Sequence, residues 1–207
     1  MSEKKLLIVF VKNAILGTAK TRLAKTIGDE AAFEVYKHLM HITEQATLGV
    51  QGADVHVYFS SEKDDTRWTD YTQYVQQGTD LGERMSDAFR RGFKLGYDKI
   101  VGIGSDLPDL TSEIITKGLN ELNANDAVFG PAEDGGYYLI GMKSMLDCIF
   151  ENKPWSTESL LNVTLEELES KGHSVGIIET LNDVDTEEDL RNSSIANEFK
   201  HFWVGNC

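Results

Sequence analysis

Two carboxylates that follow an apolar run are the first residues in this chain with a chemical reading. Lys99–Leu110, KIVGIGSDLPDL, begins with Ile100, Val101 and Ile103, strand formers separated by a small glycine. A short apolar run bounded by a turn is the signature of a central parallel strand. Asp106 arrives where such a strand must stop. Pro108 cannot continue a ladder and biases Leu107 toward extended backbone, so Asp106 and Asp109 belong to an ordered turn. In open α/β sheets ligands bind outside the carboxyl ends of the strands, which makes this turn a seat for a divalent metal. Plain turn and cap hydrogen bonds ahead of a helix near Thr111 account for the same residues and, from this stretch alone, are the simpler account.

The second candidate group is cationic. Between Lys4 and Gly28 lie six of the 20 basic residues and none of the 34 acidic ones, in a chain of net charge −14. One carboxylate-free basic loop in so acidic a protein suits a small anion such as phosphate. Within Lys12–Lys25, KNAILGTAKTRLAK, Gly17 permits a tight backbone path, and Lys20 and Arg22 flank Thr21. Arginine supplies a planar fork and lysine a point charge, so the two can approach a polyphosphate from different directions. The GxxxxGK[ST] spacing is absent, and Gly102-Ile103-Gly104 starts a GxGxxG fingerprint that fails at Leu107.

Three further stretches carry polar residues. Gly78–Met85, GTDLGERM, is a glycine-containing turn feeding a helix, with Arg84 in the first turn, where a cation opposes the helix dipole. It serves a ligand there or pairs with Glu83 or Asp87. Pro131–Gly141 holds Glu133-Asp134-Gly135-Gly136, a loop whose backbone must come close to something, or a tight hairpin turn. Pro154-Trp155-Ser156-Thr157 introduces a helix, and Trp155 either stacks on a base or sugar ring or joins the core. In NDVDTEEDL, Thr186 with Asp189 approximates a capping box, which sets Asp183 and Asp185 on the loop just before a helix.

The elements that must position these groups alternate between strand and helix. Lys5–Val11 is a strand apolar enough to be covered on both faces. The loop Lys12–Lys25 follows, and Asp29 N-caps a long helix to about Leu48. His38 and His41, one turn apart on it, have no third ligand in view and read as surface or interface residues. Strands follow at Asp54–Ser60 and, shorter, at Tyr71–Val75. Helices fall at about 81–95, Thr111–Leu122 and from about Pro154 to Lys171, with strands in the stretch that ends by Asp106, at Asp126–Gly130, after Gly136 through Met142, and at Ser174–Glu179. Polar clusters at strand ends and this alternation give a three-layer α/β/α sandwich with a mainly parallel sheet.

Composition narrows the classes. At 207 residues with 41% hydrophobic content, the chain reads as a single domain, 1–207, with a sizeable core. No apolar run approaches the roughly 20 residues needed to cross a bilayer, and the start reads as a strand rather than a signal. Cys148 and Cys207 have no CxxC spacing, which fits a reducing cytoplasm. The acidity argues against nucleic acid or an anionic membrane as partner.

KNAILGTAKTRL, GTDLGERM, GSDLPDLT, GPAEDGGYYLIG, PWST and NDVDTEEDL occur in one order over nearly the whole chain. In this the sequence resembles the bacterial DUF2064 proteins, also called selenodomain-associated transferase 1, of the nucleotide-diphospho-sugar transferase superfamily. The resemblance implies a GT-A fold with a nucleotide-binding half and an acceptor half. It implies Asp106 as the metal aspartate, with Asp183 or Asp185 completing the site and Mg²⁺ or Mn²⁺ as the cofactor. Lys20 and Arg22 match phosphate-holding residues and, with Asp106, form the catalytic set; Gly82 and Arg84 match the loop near the base. The nucleotide-binding set adds Lys12, Gly17 and Ser105, and the acceptor is expected at Asp134, Gly135, Gly136 and Trp155. Many relatives carry a proline-bearing loop, roughly AKAPVPGRVKTRL, where this chain has KNAILGTAK with the cations retained.

Three functions stay open on this reading. One is metal-dependent glycosyl transfer from a nucleotide sugar to a small-molecule acceptor. Another is nucleotidyl transfer from a nucleoside triphosphate with pyrophosphate release, which the basic loop favours because a triphosphate is the more anionic donor. The last is a nucleotide-binding regulator without chemistry, against which the joint presence of cations and carboxylates counts. A homodimer is compatible with all three.

Overall fold

The computed structural model describes residues 3–203. Its sheet is built around β1 (Lys5–Val11), where Leu6, Leu7, Ile8 and Val9 are fully buried. A strand apolar on both faces needs cover on both. Leu7, Val9 and Val11 face one helical layer, while Leu6, Ile8 and Phe10 face the other.

The first layer contains α2 (Asp29–Leu48), through Tyr36 and Met40, and α4 (Ser112–Glu121), through Ile115 and Leu119. The second contains α3 (Leu81–Lys94), through Met85 and Phe89, and α5 (Leu160–Ser170), through Leu168. This is the expected three-layer α/β/α sandwich.

The other strands are β2 (Asp54–Phe59), β3 (Thr72–Val75), β4 (Lys99–Ile103), β5 (Ala127–Pro131), β6 (Tyr137–Met142) and β7 (Val175–Ile177). They lie in the order β3-β2-β1-β4-β6-β5-β7, which puts β4 in the middle. All pairings are parallel except those of β6, which runs antiparallel to both β4 and β5. The tail of β1, the tail of β4 and the head of β6 therefore meet at one edge of the sheet. That edge is where strand-end loops of an α/β fold gather their ligands.

Several boundaries differ from the sequence reading. The end of the basic loop is helical: α1 (Thr21–Ile27) starts after Lys20, whose backbone is left-handed at φ 50. Asp29 is the first residue of α2 rather than its cap, because Gly28 at φ 87 makes the break between α1 and α2. Helix α5 begins at Leu160 instead of near Pro154, since Ser156 at φ 62 cannot continue a right-handed turn. The capping box at Thr186 does form, opening α6 (Glu187–Asn192), which leads into α7 (Ala196–Phe199). A satellite core joins these C-terminal helices to the chain's beginning: Leu23 of α1 and Val35 and Leu39 of α2 pack with Val184, Leu190, Ile195 and Phe199.

His38 lies beside Glu198 and His41 is exposed; neither approaches a cluster of metal-ligating type among the described residues. Cys148 is half-buried, and Cys207 lies outside the described residues. Among the described residues no helix is long and apolar enough to cross a membrane.

Candidate functional site

Asp106 follows β4 across the turn Gly104-Ser105, and its backbone carbonyl accepts a hydrogen bond from the Val184 N–H at 3.3 Å. This bond draws the loop before α6 up against the central strand. Asp183, Asp185 and Asp106 consequently present carboxylate oxygens that all lie within 4.8 Å of one another. The Asp185 and Thr186 N–H groups both donate to the Asp189 carboxylate, at 3.1 and 2.7 Å, so the capping box also sets the loop's direction. Asp109, on the same turn as Asp106, is exposed and outside the cluster.

Lys20 reaches this cluster from the opposite end of the chain. Its ammonium donates to Asp106 Oδ2 at 3.0 Å and to Asp185 Oδ1 at 2.7 Å, and its side chain is only 6% exposed. Arg22 is mostly exposed and reaches Asp185 Oδ2 at 3.4 Å. The left-handed turn at Lys20 ends the basic loop and starts α1, whose Leu23 is anchored in the satellite core beside Val184. Lysine and carboxylate are thus positioned by the same small apolar cluster.

The electrostatics follow from this packing. Burial alone would lower the Lys20 pKa, but the charges of Asp106 and Asp185 outweigh it and hold the ammonium above its ordinary value. Asp185 is the mirror case: burial raises it, and Lys20 more than reverses that, leaving it below the usual aspartate value. Asp183 forms no salt bridge among the described residues. Burial first, then the charges of Asp106 and Asp185, push its pKa up to about 7. Three crowded carboxylates, of which Lys20 engages only Asp106 and Asp185, are the oxygen ligands a hard divalent cation takes, so the donor set fits Mg²⁺ or Mn²⁺.

A cavity of 220 Å³ opens beside the cluster, lined by Lys12, Ala19, Lys20, Thr21, Arg22, Tyr36, Asp106 and Asp185. Its wall is braced by Tyr36, which sequence reasoning missed because Tyr36 falls in the apolar period of α2. The Tyr36 hydroxyl donates to the Lys12 carbonyl at 2.7 Å, accepts from the Lys12 N–H at 3.1 Å and lies 3.2 Å from the Ser105 hydroxyl. Burial pushes this phenol up to about 12. Ser105 is thereby fixed between the strand end and the basic loop. Gly17, at φ 80, makes the loop's bend, and the Lys12 ammonium folds back on the Thr18 carbonyl at 2.7 Å.

On the other face of the sheet, a second cavity of 320 Å³ lies over β4 and β6. Phe10, Leu81, Met85, Tyr137, Trp155 and Leu160 supply its apolar walls, with Asp106, Asp134 and Asp183 among its lining residues. Asp134 accepts from the Gly136 N–H at 2.8 Å. The close approach announced by Gly135 is to the backbone of Glu158, where a Cβ would collide with the carbonyl. Gly82 is a packing glycine: a Cβ there would meet the Phe150 carbonyl oxygen at 2.7 Å and the Trp155 indole at 2.9 Å. Arg84 donates to the Gly78 carbonyl at 3.2 Å and lines neither cavity. The structure therefore brings Lys12, Lys20, Arg22, Ser105, Asp106, Asp183 and Asp185 together and gathers Asp134, Gly136 and Trp155 around the second cavity. Arg84 stands apart from both groups.

With this geometry in hand, the chain can be set beside known proteins. No curated protein sequence matches it. The family model described as "Uncharacterized protein conserved in bacteria (DUF2064)" matches residues 43–157. A solved structure from Desulfovibrio desulfuricans G20, provisionally named a nucleotide-diphospho-sugar transferase, is 31% identical at a TM-score of 0.84, over 97% of both chains. The 4-diphosphocytidyl-2C-methyl-D-erythritol synthase of Anaerococcus prevotii DSM 20548 shares the fold at a TM-score of 0.60 and 13% identity, covering 95% of this chain and 99% of that one. A CMP:2-keto-3-deoxy-manno-octonic acid synthetase, solved with CTP, aligns at a TM-score of 0.59 and 12% identity, over 95% of this chain and 100% of that one. The sheet order, the strand-end site and these matches agree: the chain belongs to the DUF2064 family and has the fold of the nucleotide-diphospho-sugar transferases.

Proposed function

We propose that this protein is a metal-dependent glycosyltransferase that moves a sugar from a nucleotide sugar to a small-molecule acceptor. The observation that carries this reading is Lys20, buried across Asp106 and Asp185 at the mouth of a cavity that Lys12 and Arg22 also line. Buried lysine between two carboxylates beside further cations suits a diphosphate that arrives with a divalent ion. Asp106, Asp183 and Asp185 would hold Mg²⁺ or Mn²⁺, which when bound neutralises charge on the phosphates. Lys20 and Arg22 stabilise the negative charge that collects on the departing diphosphate, and Lys12, Gly17 and Ser105 shape its seat. The acceptor oxygen bonds to the anomeric carbon as the bond from that carbon to the phosphate oxygen breaks. The electron pair leaves with the nucleoside diphosphate, and the acceptor proton passes to the exposed Asp134 carboxylate. The named relative from Desulfovibrio supports a nucleotide-sugar donor.

A second reading is nucleotidyl transfer, favoured by three cations on one cavity, a number suited to a leaving pyrophosphate. A synthetase of the same fold solved with CTP supports a triphosphate donor. Incubation with Mn²⁺, acceptor extracts and either nucleotide sugars or α-labelled nucleoside triphosphates separates the two. Free nucleoside diphosphate is the expected product. Pyrophosphate from a triphosphate, with no diphosphate from any nucleotide sugar, overturns the glycosyl reading.

A further inference from the structure

The two cavities share Asp106 and no other lining residue, and they open on opposite faces of the sheet. One carries Lys12, Lys20 and Arg22. The other carries no lysine or arginine among the described residues, and its charged lining residues, Asp106, Asp134 and Asp183, are all acids. Its walls are aromatic and aliphatic, and its 320 Å³ is the size of a small ring system rather than of an extended chain.

Asp106 is already paired with Lys20 and, with Asp183, belongs to the proposed metal set, so an anionic acceptor entering here would meet Asp134 with no lysine or arginine on the cavity wall to answer it, in surroundings that strip its water. A sugar phosphate or a carboxylic acid is therefore disfavoured. Flat faces to stack on are present instead in Trp155 and Tyr137, which meet edge to face with ring centroids 6.5 Å apart. Polar anchoring is available from Asp134 and from Ser156 and Thr157, which also line the cavity. We propose that this cavity is the acceptor subsite and that it takes an uncharged hydroxyl compound with an apolar, ring-sized body. The proposal rests on reading the cation-lined cavity as the donor site, because that leaves the apolar one to the acceptor. It also narrows the reaction, since an uncharged alcohol offers only its hydroxyl oxygen as nucleophile.

The test uses naphthol and naphthyl phosphate as matched probes, measured by equilibrium dialysis at neutral pH without metal or nucleotide. Naphthol should bind about tenfold or more tightly than its phosphate ester, the size of a like-charge penalty. Leu160→Trp, which fills the cavity from the first turn of α5, should abolish naphthol binding, and Trp155→Leu should weaken it. Asp134→Asn preserves an acceptor for the Gly136 N–H while removing one charge, so it should narrow the preference for naphthol. The proposal is overturned if the two probes bind alike, if the phosphate binds better, or if naphthol ignores both wall variants once each is shown to melt cooperatively. Displacement of naphthol by a simple nucleoside that binds more tightly also overturns it, because the cavity would then belong to the donor. Since no donor is present, selective naphthol binding stands even if the glycosyl assay fails, and the two failures remain separate.

Discussion

Replacing Lys20 by Met tests whether the site is held together by one buried charge. Methionine keeps an unbranched side chain and leaves the left-handed backbone at φ 50 as strained as before, which glycine would not. What disappears is the pair of contacts at 3.0 and 2.7 Å. Two charge-assisted hydrogen bonds sealed from water would contribute about 1.5–3 kcal/mol each. The aspartate side chains are 36% and 39% exposed, so solvent screening reduces each contact to about 1 kcal/mol. A loss of roughly 2 kcal/mol lowers the melting temperature of a chain this size by about 4–8 °C.

Thermal melts of parent and variant, read by circular dichroism, should show that gap at neutral pH. Asp185 is held below its ordinary 3.8 in the parent, so the stability it contributes is present above 3.8 and is lost as pH falls through the depressed value. The gap should accordingly close in acid. Magnesium should narrow it at neutral pH, because a divalent cation restores the lost counter-charge. Coincident melts of the two proteins at neutral pH without metal would refute the account.

Asp106→Asn should abolish metal-dependent nucleotide binding in calorimetric titrations while lowering the metal-free melting temperature by no more than about 2–4 °C, since it weakens one of the two screened Lys20 contacts. Mn²⁺ affinity, followed by the spectrum of the free ion, should rise as pH increases through about 7, where Asp183 loses its proton, and Asp183→Asn should flatten that profile. Tyr137→Phe should be neutral or stabilising by up to about 1 kcal/mol in urea unfolding, because the Tyr137 hydroxyl is buried without a partner. Gly135→Ala should cost at least about 2 kcal/mol by the same measurement, since φ 85 and the Glu158 carbonyl both oppose a Cβ.

Elements with one dominant signal were legible in the sequence. Strand β1 was read to the residue because its apolar run is continuous. The capping box at Thr186 was visible because its partners are three residues apart. Helix α1 was not, for a segment of seven residues with one buried side chain has no apolar period to detect. The site divides in the same way. Asp106, Asp183, Asp185, Lys20 and Arg22 stood out as charges at strand ends, but nothing local to Lys20 announces that it is buried between two aspartates. Nor could Phe10, Leu81, Met85, Tyr137 and Leu160 be recognised as one surface, because each is an ordinary core-type residue and only Leu81 and Met85 are neighbours in sequence. Gly82 read as a ligand-loop glycine, whereas a tryptophan far along the sequence requires it.

The contact between Lys20 and Asp185 spans 165 positions. During synthesis, a growing chain holds the basic loop and Asp106 long before the second carboxylate that answers Lys20 has been made, so the lysine must wait half-paired or stay in water. Contacts of such separation close large loops and form late. On the proposed function, nucleotide binding would therefore report completion: a nascent or truncated chain lacking Asp185 keeps only Asp106 to answer Lys20 and has no closed cavity. Such a ligand would stabilise finished molecules and leave partial ones exposed to proteolysis.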